Sequence, residues 1–154
     1  MNFERPIAYY TTNHGYGHGA RTCDILRAFG ELYPEITIDL VTGLPDSFLA
    51  NRLTNVSYRL RDRSFDVGMA QKDSVRVDVA ETLARLDALE TRREHLLAAE
   101  RDFLRAQHAA MVVADIPGMP LRAASDIGIP AVAVANFSSD SGSGLNFKLF
   151  QAFP

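Results

Sequence analysis

Short apolar runs alternate with stretches of helical spacing from one end of the chain to the other. Residues 6–12 (PIAYYTT) form a β-rich run that ends in a polar, glycine-rich turn. From Ala20 to Leu32 the apolar positions Ile25, Leu26, Phe29 and Leu32 recur at helical spacing, and Pro34 stands just beyond as a stop. Residues 36–42 (ITIDLVT) predict a second strand closed by Gly43, and 45–53 a short helix with proline in its first turn. Alternation predicts a third strand over 56–60, followed by an aperiodic loop over 61–77. A long helix is expected from Asp78 to about His108, with Asp78 and Glu81 at capping-box spacing. Its buried stripe would be Val79, Leu83, Leu86 and Leu89, then Leu96, Leu97, Phe103 and Leu104, and the charged run 91–94 reads as a solvated face in preference to a kink. A buried strand over 110–114 (AMVVA), a helix over 120–127 with Gly128 and Pro130 as its stop, and a fifth strand over 131–135 (AVAVA) complete the series.

Two strands apolar along their whole length need cover on both faces, which means a parallel sheet between helices. The expected fold is a doubly wound, Rossmann-like α/β domain with strand order 3-2-1-4-5, occupying residues 1–138. Residues 139–154 read as a Ser/Gly linker-like segment and an apolar tail with no clear element, where Leu145, Phe147, Leu149, Phe150 and Phe153 hint at self-association.

Composition narrows the function. The 154 residues suit one domain, with 47% apolar and 23% charged residues. A formal net charge of −3 argues against a nucleic-acid partner. The single cysteine, Cys23, excludes a disulfide framework and a multi-cysteine metal site. No stretch approaches the roughly 20 apolar residues of a membrane span, and the N-terminus lacks the pattern of a signal peptide, so the expected location is cytoplasmic.

In an open α/β sheet ligands bind outside the carboxyl ends of the strands, where the strand order reverses. Here that point lies between the first and fourth strands. The first is followed by NHGYGHGAR (13–21), and the fourth ends on Asp115. The fold therefore predicts that a histidine and an acid meet, the arrangement of a general base whose tautomer is fixed by a carboxylate. Gly15, Gly17 and Gly19 would let a ligand approach the backbone, the helix N-terminus favours an anion, and Arg21 would add a charge-assisted bond to it. His14 and His18 have no further histidine or cysteine near them, so no metal site is expected. Residues 15–20 also fit G-x-G-x-x-A, but a nicotinamide site wants an acid at the end of the second strand, and Asp39 sits too early. A dinucleotide-dependent reductase is the weaker reading. No P-loop motif is present.

The run HGYGHGARTCDILRAF resembles the first strand–loop–helix of GT-B glycosyltransferases. More closely, the chain is similar to the glycosyltransferase-like half of arabinose kinase and its bacterial relatives. That group shares a GHGxGHxxR loop, an FDxGxxQxDS stretch, an acid then proline after the fourth strand, and AAxxxGIPxVxVxNFS. The matching segments are 14–21, 65–74 (FDVGMAQKDS), 114–117 and 123–138. The resemblance implies that His18 deprotonates an acceptor hydroxyl and that Asp115 orients it. It implies that Asp66, Gln71 and Asp73, with His14 and Asn136, line the acceptor cleft. It implies no tightly bound cofactor, a nucleotide-sugar (a UDP-sugar) as co-substrate, and a small-molecule or glycan acceptor. GT-B enzymes carry a second α/β domain that binds the donor, for which the chain has no room, so it would be the acceptor half and inactive alone. The alternative is a non-catalytic sugar or sugar-nucleotide binding module fused to, or derived from, a sugar kinase.

Overall fold

A strand buried at all five positions needs side chains waiting on both of its faces, and strand β1 (Ile7–Thr11) is buried at all five. In the computed structural model, which describes residues 5–73, 75–134 and 150–151, those faces are filled by different helices. Ala8 and Tyr10 point to one core with Val112, Leu96, Leu97 and Leu104. Ile7 and Tyr9 point to the other with Cys23, Leu26, Ile38 and Leu40. The period of two along the strand thus divides the protein into two cores on opposite sides of one sheet.

The remaining elements follow in chain order: α1 (Tyr16–Leu32), β2 (Ile38–Thr42), α2 (Asp46–Ala50), β3 (Tyr58–Asp62), α3 (Val79–Thr91), α4 (Arg93–Ala106), β4 (Met111–Asp115), α5 (Met119–Asp126), β5 (Ala131–Val134) and β6 (Phe150–Gln151). The sheet order is β3-β2-β1-β4-β5-β6. The first five strands are all parallel, in the order the hydrophobic pattern predicts. The sixth is an addition: Phe150–Gln151, in the tail expected to carry no element, pairs antiparallel with β5. At the centre β1 and β4 run in register from Ile7 opposite Met111 to Thr11 opposite Asp115.

Charge placement on β3 has a reason. In parallel register Asp39 lies opposite Arg59, and Arg59 meets that buried carboxylate through Nε and Nη2 at 2.6 and 2.9 Å. Two residues on, Arg61 reaches across to Glu100 of α4. Both buried acids are neutralised from one edge strand.

Helix ends obey local rules. Gly128 (φ 71°) and His108 (φ 52°) take the left-handed position after α5 and α4. Each end closes with a six-residue bond, Ile129 N–H to Ala124 O and Ala109 N–H to Leu104 O, both 3.0 Å. Asp78 caps α3 by accepting from the Glu81 N–H at 3.0 Å.

Four expectations are corrected. The helix expected over 78–108 is two, because Arg92 (φ −96°, ψ 0°) breaks it between α3 and α4. Helix α3 has no buried residue: Val79, Leu83 and Leu86 are exposed, and only Leu89 reaches a core. An amphipathic period reports that a face is apolar, not that something covers it. Helix α1 starts at Tyr16 rather than Ala20, since the single left-handed Gly15 (φ 93°) completes the turn and leaves Gly17 to Gly19 free to be helical. Strand β3 is shifted two residues along, to Tyr58–Asp62, where Arg59 and Arg61 meet their partners.

Candidate functional site

The central pair Thr11–Asp115 ends the two strands at which the order reverses. Thr12 N–H donates to Asp115 O at 3.3 Å, tying the two exits together. The chain then turns through Asn13 and His14, whose N–H donates to Thr12 Oγ1 at 3.2 Å, and enters α1 at Tyr16. One turn of helix swings His18 back over the strand ends.

Asp115 has no exposed surface, and His18 and Arg21 close over it from the first turns of α1. His18 Nδ1 lies 3.1 Å from Asp115 Oδ1. Arg21, one turn further, donates Nε–H to Oδ2 at 3.0 Å and Nη2–H to Oδ1 at 2.5 Å, and the same Nη2 lies 2.9 Å from His18 Nδ1. The carboxylate is thus held bidentately by an arginine and also faced by an imidazole. About a third of the His18 side chain remains exposed (32%). The residue after Asp115 is strained: Ile116, β-branched, sits at φ 83°.

A second polar group forms around His14, on the turn that leads into α1. The His14 ring is 3.2 Å from Asp66 O through Nε2 and 3.8 Å from Asp66 Oδ1. Oδ1 of Asp66 and Oδ1 of Asn13 are buried acceptors without a hydrogen-bond partner among the described residues. Two glycines make the crowding possible. A Cβ on Gly68 would stand 2.5 Å from the His14 ring, and one on Gly43 would stand 2.6 Å from Asn13 Nδ2 and 2.8 Å from Ser64 Oγ. Asn13, Gly43 and Gly68 are site residues that sequence reasoning did not single out for this purpose. The block around Asp66 hinted at Gly68, but nothing local pairs Gly43 with Asn13.

The structure brings His18, Arg21 and Asp115 together, and His14 with Asp66. Gly15 and Gly17 have open space where a Cβ would be, whereas one on Gly19 would stand 2.7 Å from Leu44 Cδ1, so Gly19 serves helix packing. Arg21, expected to receive an anion, is engaged with Asp115 instead. Gln71 bridges to Val77 in a small antiparallel pair. Asp73 accepts from the N–H groups of Val75 and Arg76 and from Arg76 Nε, bonds that hold its carboxyl below the usual range and close a turn. Asn136 lies outside the described residues. Among the described residues no group of three or more His, Cys, Asp or Glu could hold a metal ion, and no helix is long and apolar enough to cross a membrane.

Five parallel strands in this order match the domains of GT-B glycosyltransferases, and that is the fold class of the chain. In sequence it is 32% identical over 135 residues, 87% of its length, to L-arabinokinase of Arabidopsis thaliana. The chain spans only 13% of that relative. UGT2 of Phytolacca americana, solved with UDP-2-fluoro-glucose and pterostilbene, superposes with a TM-score of 0.54 at 17% identity, over 88% of this chain and 31% of its own. CalG4, the calicheamicin glycosyltransferase, gives 0.53 at 19%, over 90% of this chain and 34% of its own. No family model matches.

Proposed function

We propose that the chain is the acceptor-side domain of a nucleotide-sugar-dependent glycosyltransferase in which His18 is the general base. The observation that carries this reading is the placement of a part-exposed imidazole on a fully buried carboxylate at the switch point of the sheet. In the reaction the acceptor hydroxyl gives its proton to His18 Nε2 while Nδ1–H donates to Asp115, which steadies the imidazolium. The oxygen then forms its bond to the donor's anomeric carbon as the bond to the nucleotide diphosphate breaks. The donor is a co-substrate of the UDP-sugar class, not a resident cofactor, and it is held mainly by a second α/β domain. Gly15 and Gly17, open on their Cα side, let it approach the start of α1. A small-molecule or glycan acceptor would lie against His14 and Asp66, whose side chains keep 37% and 17% of their surface exposed. Residues 1–138 make up this domain, followed over 139–154 by a Ser/Gly linker-like segment and apolar tail from which Phe150–Gln151 adds a strand to the sheet.

Replacing His18 by alanine in the full-length protein should lower transfer on the order of 100- to 10,000-fold with the fold intact by circular dichroism. Near-normal turnover in that variant rejects the role. A second reading is favoured by the similarity to a protein named as a sugar kinase: a sugar-binding module without chemistry of its own. Titration calorimetry separates them, since a binding module takes up sugar with no transfer to any acceptor.

A further inference from the structure

Three atoms crowd into a triangle at the site: Arg21 Nη2, Asp115 Oδ1 and His18 Nδ1, with sides of 2.5, 2.9 and 3.1 Å. Nη2 is only a donor and the ionised Oδ1 only an acceptor, so Nδ1 faces opposite demands. If Nδ1 carries the proton it donates to Oδ1, but its N–H then confronts the cationic Nη2. If Nδ1 is bare it accepts the second N–H of Nη2, and the proton of the neutral ring sits on Nε2. One of the two contacts is always mismatched.

We infer that Arg21 is a positioning residue that decides which ring nitrogen of His18 carries the proton, holding the resting imidazole in the Nε2–H form. Two features favour that form. The Nη2 contact to Nδ1 is the shorter of the two, and Oδ1 already receives a charge-assisted bond from Nη2. The ring then offers no lone pair at Nε2, and the base is silent. Drawing the guanidinium off the ring lets the proton move, through water, from Nε2 to Nδ1, where Asp115 Oδ1 accepts it and frees Nε2. Arg21 keeps a fifth of its side chain exposed, so it is within reach of a ligand while Asp115 is not. This assignment rests on His18 being the base, but its test does not depend on turnover.

The experiment is nitrogen-15 NMR of the intact chain labelled at histidine, at alkaline pH where imidazole is neutral. There are four histidines, and the His18 pair is identified by its loss in His18→Gln. In the native chain Nδ1 should resonate as the bare nitrogen and Nε2 as the protonated one. Arg21→Met, which keeps the stem and removes the guanidinium, should invert the pair. Arg21→Lys, which keeps a cation for Asp115 but loses the two-point fork, should invert it as well. Unchanged His95 and His108 signals report an intact fold. A native ring already protonated on Nδ1 overturns the inference whatever the variants do. So does a native pattern retained in Arg21→Lys, which answers the question even if the methionine variant unfolds. Inversion together with a fully active His18→Ala enzyme would uphold the role of Arg21 while rejecting that of the base.

Discussion

Glu100, with no exposed surface, holds Arg61 through both carboxylate oxygens at 2.6 and 2.8 Å from Nη1, which joins helix α4 to the edge strand β3. Tyr10 of β1 donates to the same carboxylate, and the Arg61 guanidinium lies over the Phe103 ring, 3.9 Å from its centroid. Three elements converge on one buried acid. Glu100→Ala leaves Arg61 without its counter-charge and Tyr10 without an acceptor, and should cost about 3–5 kcal/mol. Urea denaturation monitored by circular dichroism measures it. A loss below about 1 kcal/mol would mean that the network is replaceable.

Two buried tyrosines, one on each face of β1, set an alkaline limit. Burial pushes the Tyr9 phenol up to about 12, and burial together with the Glu100 charge pushes Tyr10 up further. Both groups are neutral when folded, while an unfolded tyrosine ionises near pH 10. Raised folded values mean stability that is whole below about pH 10 and lost as the pH climbs toward 12 and beyond. The melting temperature should therefore fall through that window, which a pH series of thermal melts measures. Tyr9→Phe should flatten the first part of the fall.

Glycine substitutions should separate stability from ligand approach. Gly17 lies in α1 with open space around it, so Gly17→Ala should stabilise the fold by about 0.5–1 kcal/mol through helix propensity. If ligand reaches the backbone there, the same methyl should weaken donor binding in the full-length protein, measured by calorimetry with a UDP-sugar. Gly68→Ala should do the reverse of a gain. Its Cβ would stand 2.5 Å from the His14 ring, and overpacking of this kind costs about 1–3 kcal/mol.

Ile116 offers a test of strain beside the site. At φ 83° a β-branched residue costs on the order of 1–3 kcal/mol, and nearly half of its surface is exposed (48%), so little burial is lost on removing it. Ile116→Gly should raise stability by about 1 kcal/mol after the entropy cost of glycine. A lowered thermal midpoint would show that its side chain contributes more by packing than its backbone costs.

The sheet was legible because uninterrupted apolar runs such as AMVVA have few alternatives to a doubly covered strand. From the order of the strands followed the meeting of a histidine of the 13–21 loop with Asp115, and the family resemblance picked out His18 rather than His14. What escaped was whatever depends on the far side of a contact. Arg92 is an ordinary helix former, so in the charged run 91–94 a kink and a solvated face read alike, and the less favoured of the two is the one the structure shows. The exposed stripe Val79, Leu83 and Leu86 has the same period as a buried one. Arg21 reads as a free cation until the buried carboxylate opposite it is seen, and Gly43 reads as a plain strand stop until Asn13 stands against it.

Strands β1 and β4 are the innermost pair of the sheet, each with another strand on its outer side. Fraying begins at margins, at β3 or β6 or along α3, and the union of Thr11 with Asp115 is the last to be reached. Heat or denaturant should therefore not disable the His18–Asp115 geometry ahead of the molecule. The temperature at which that geometry is lost and the temperature at which the domain melts should be one number.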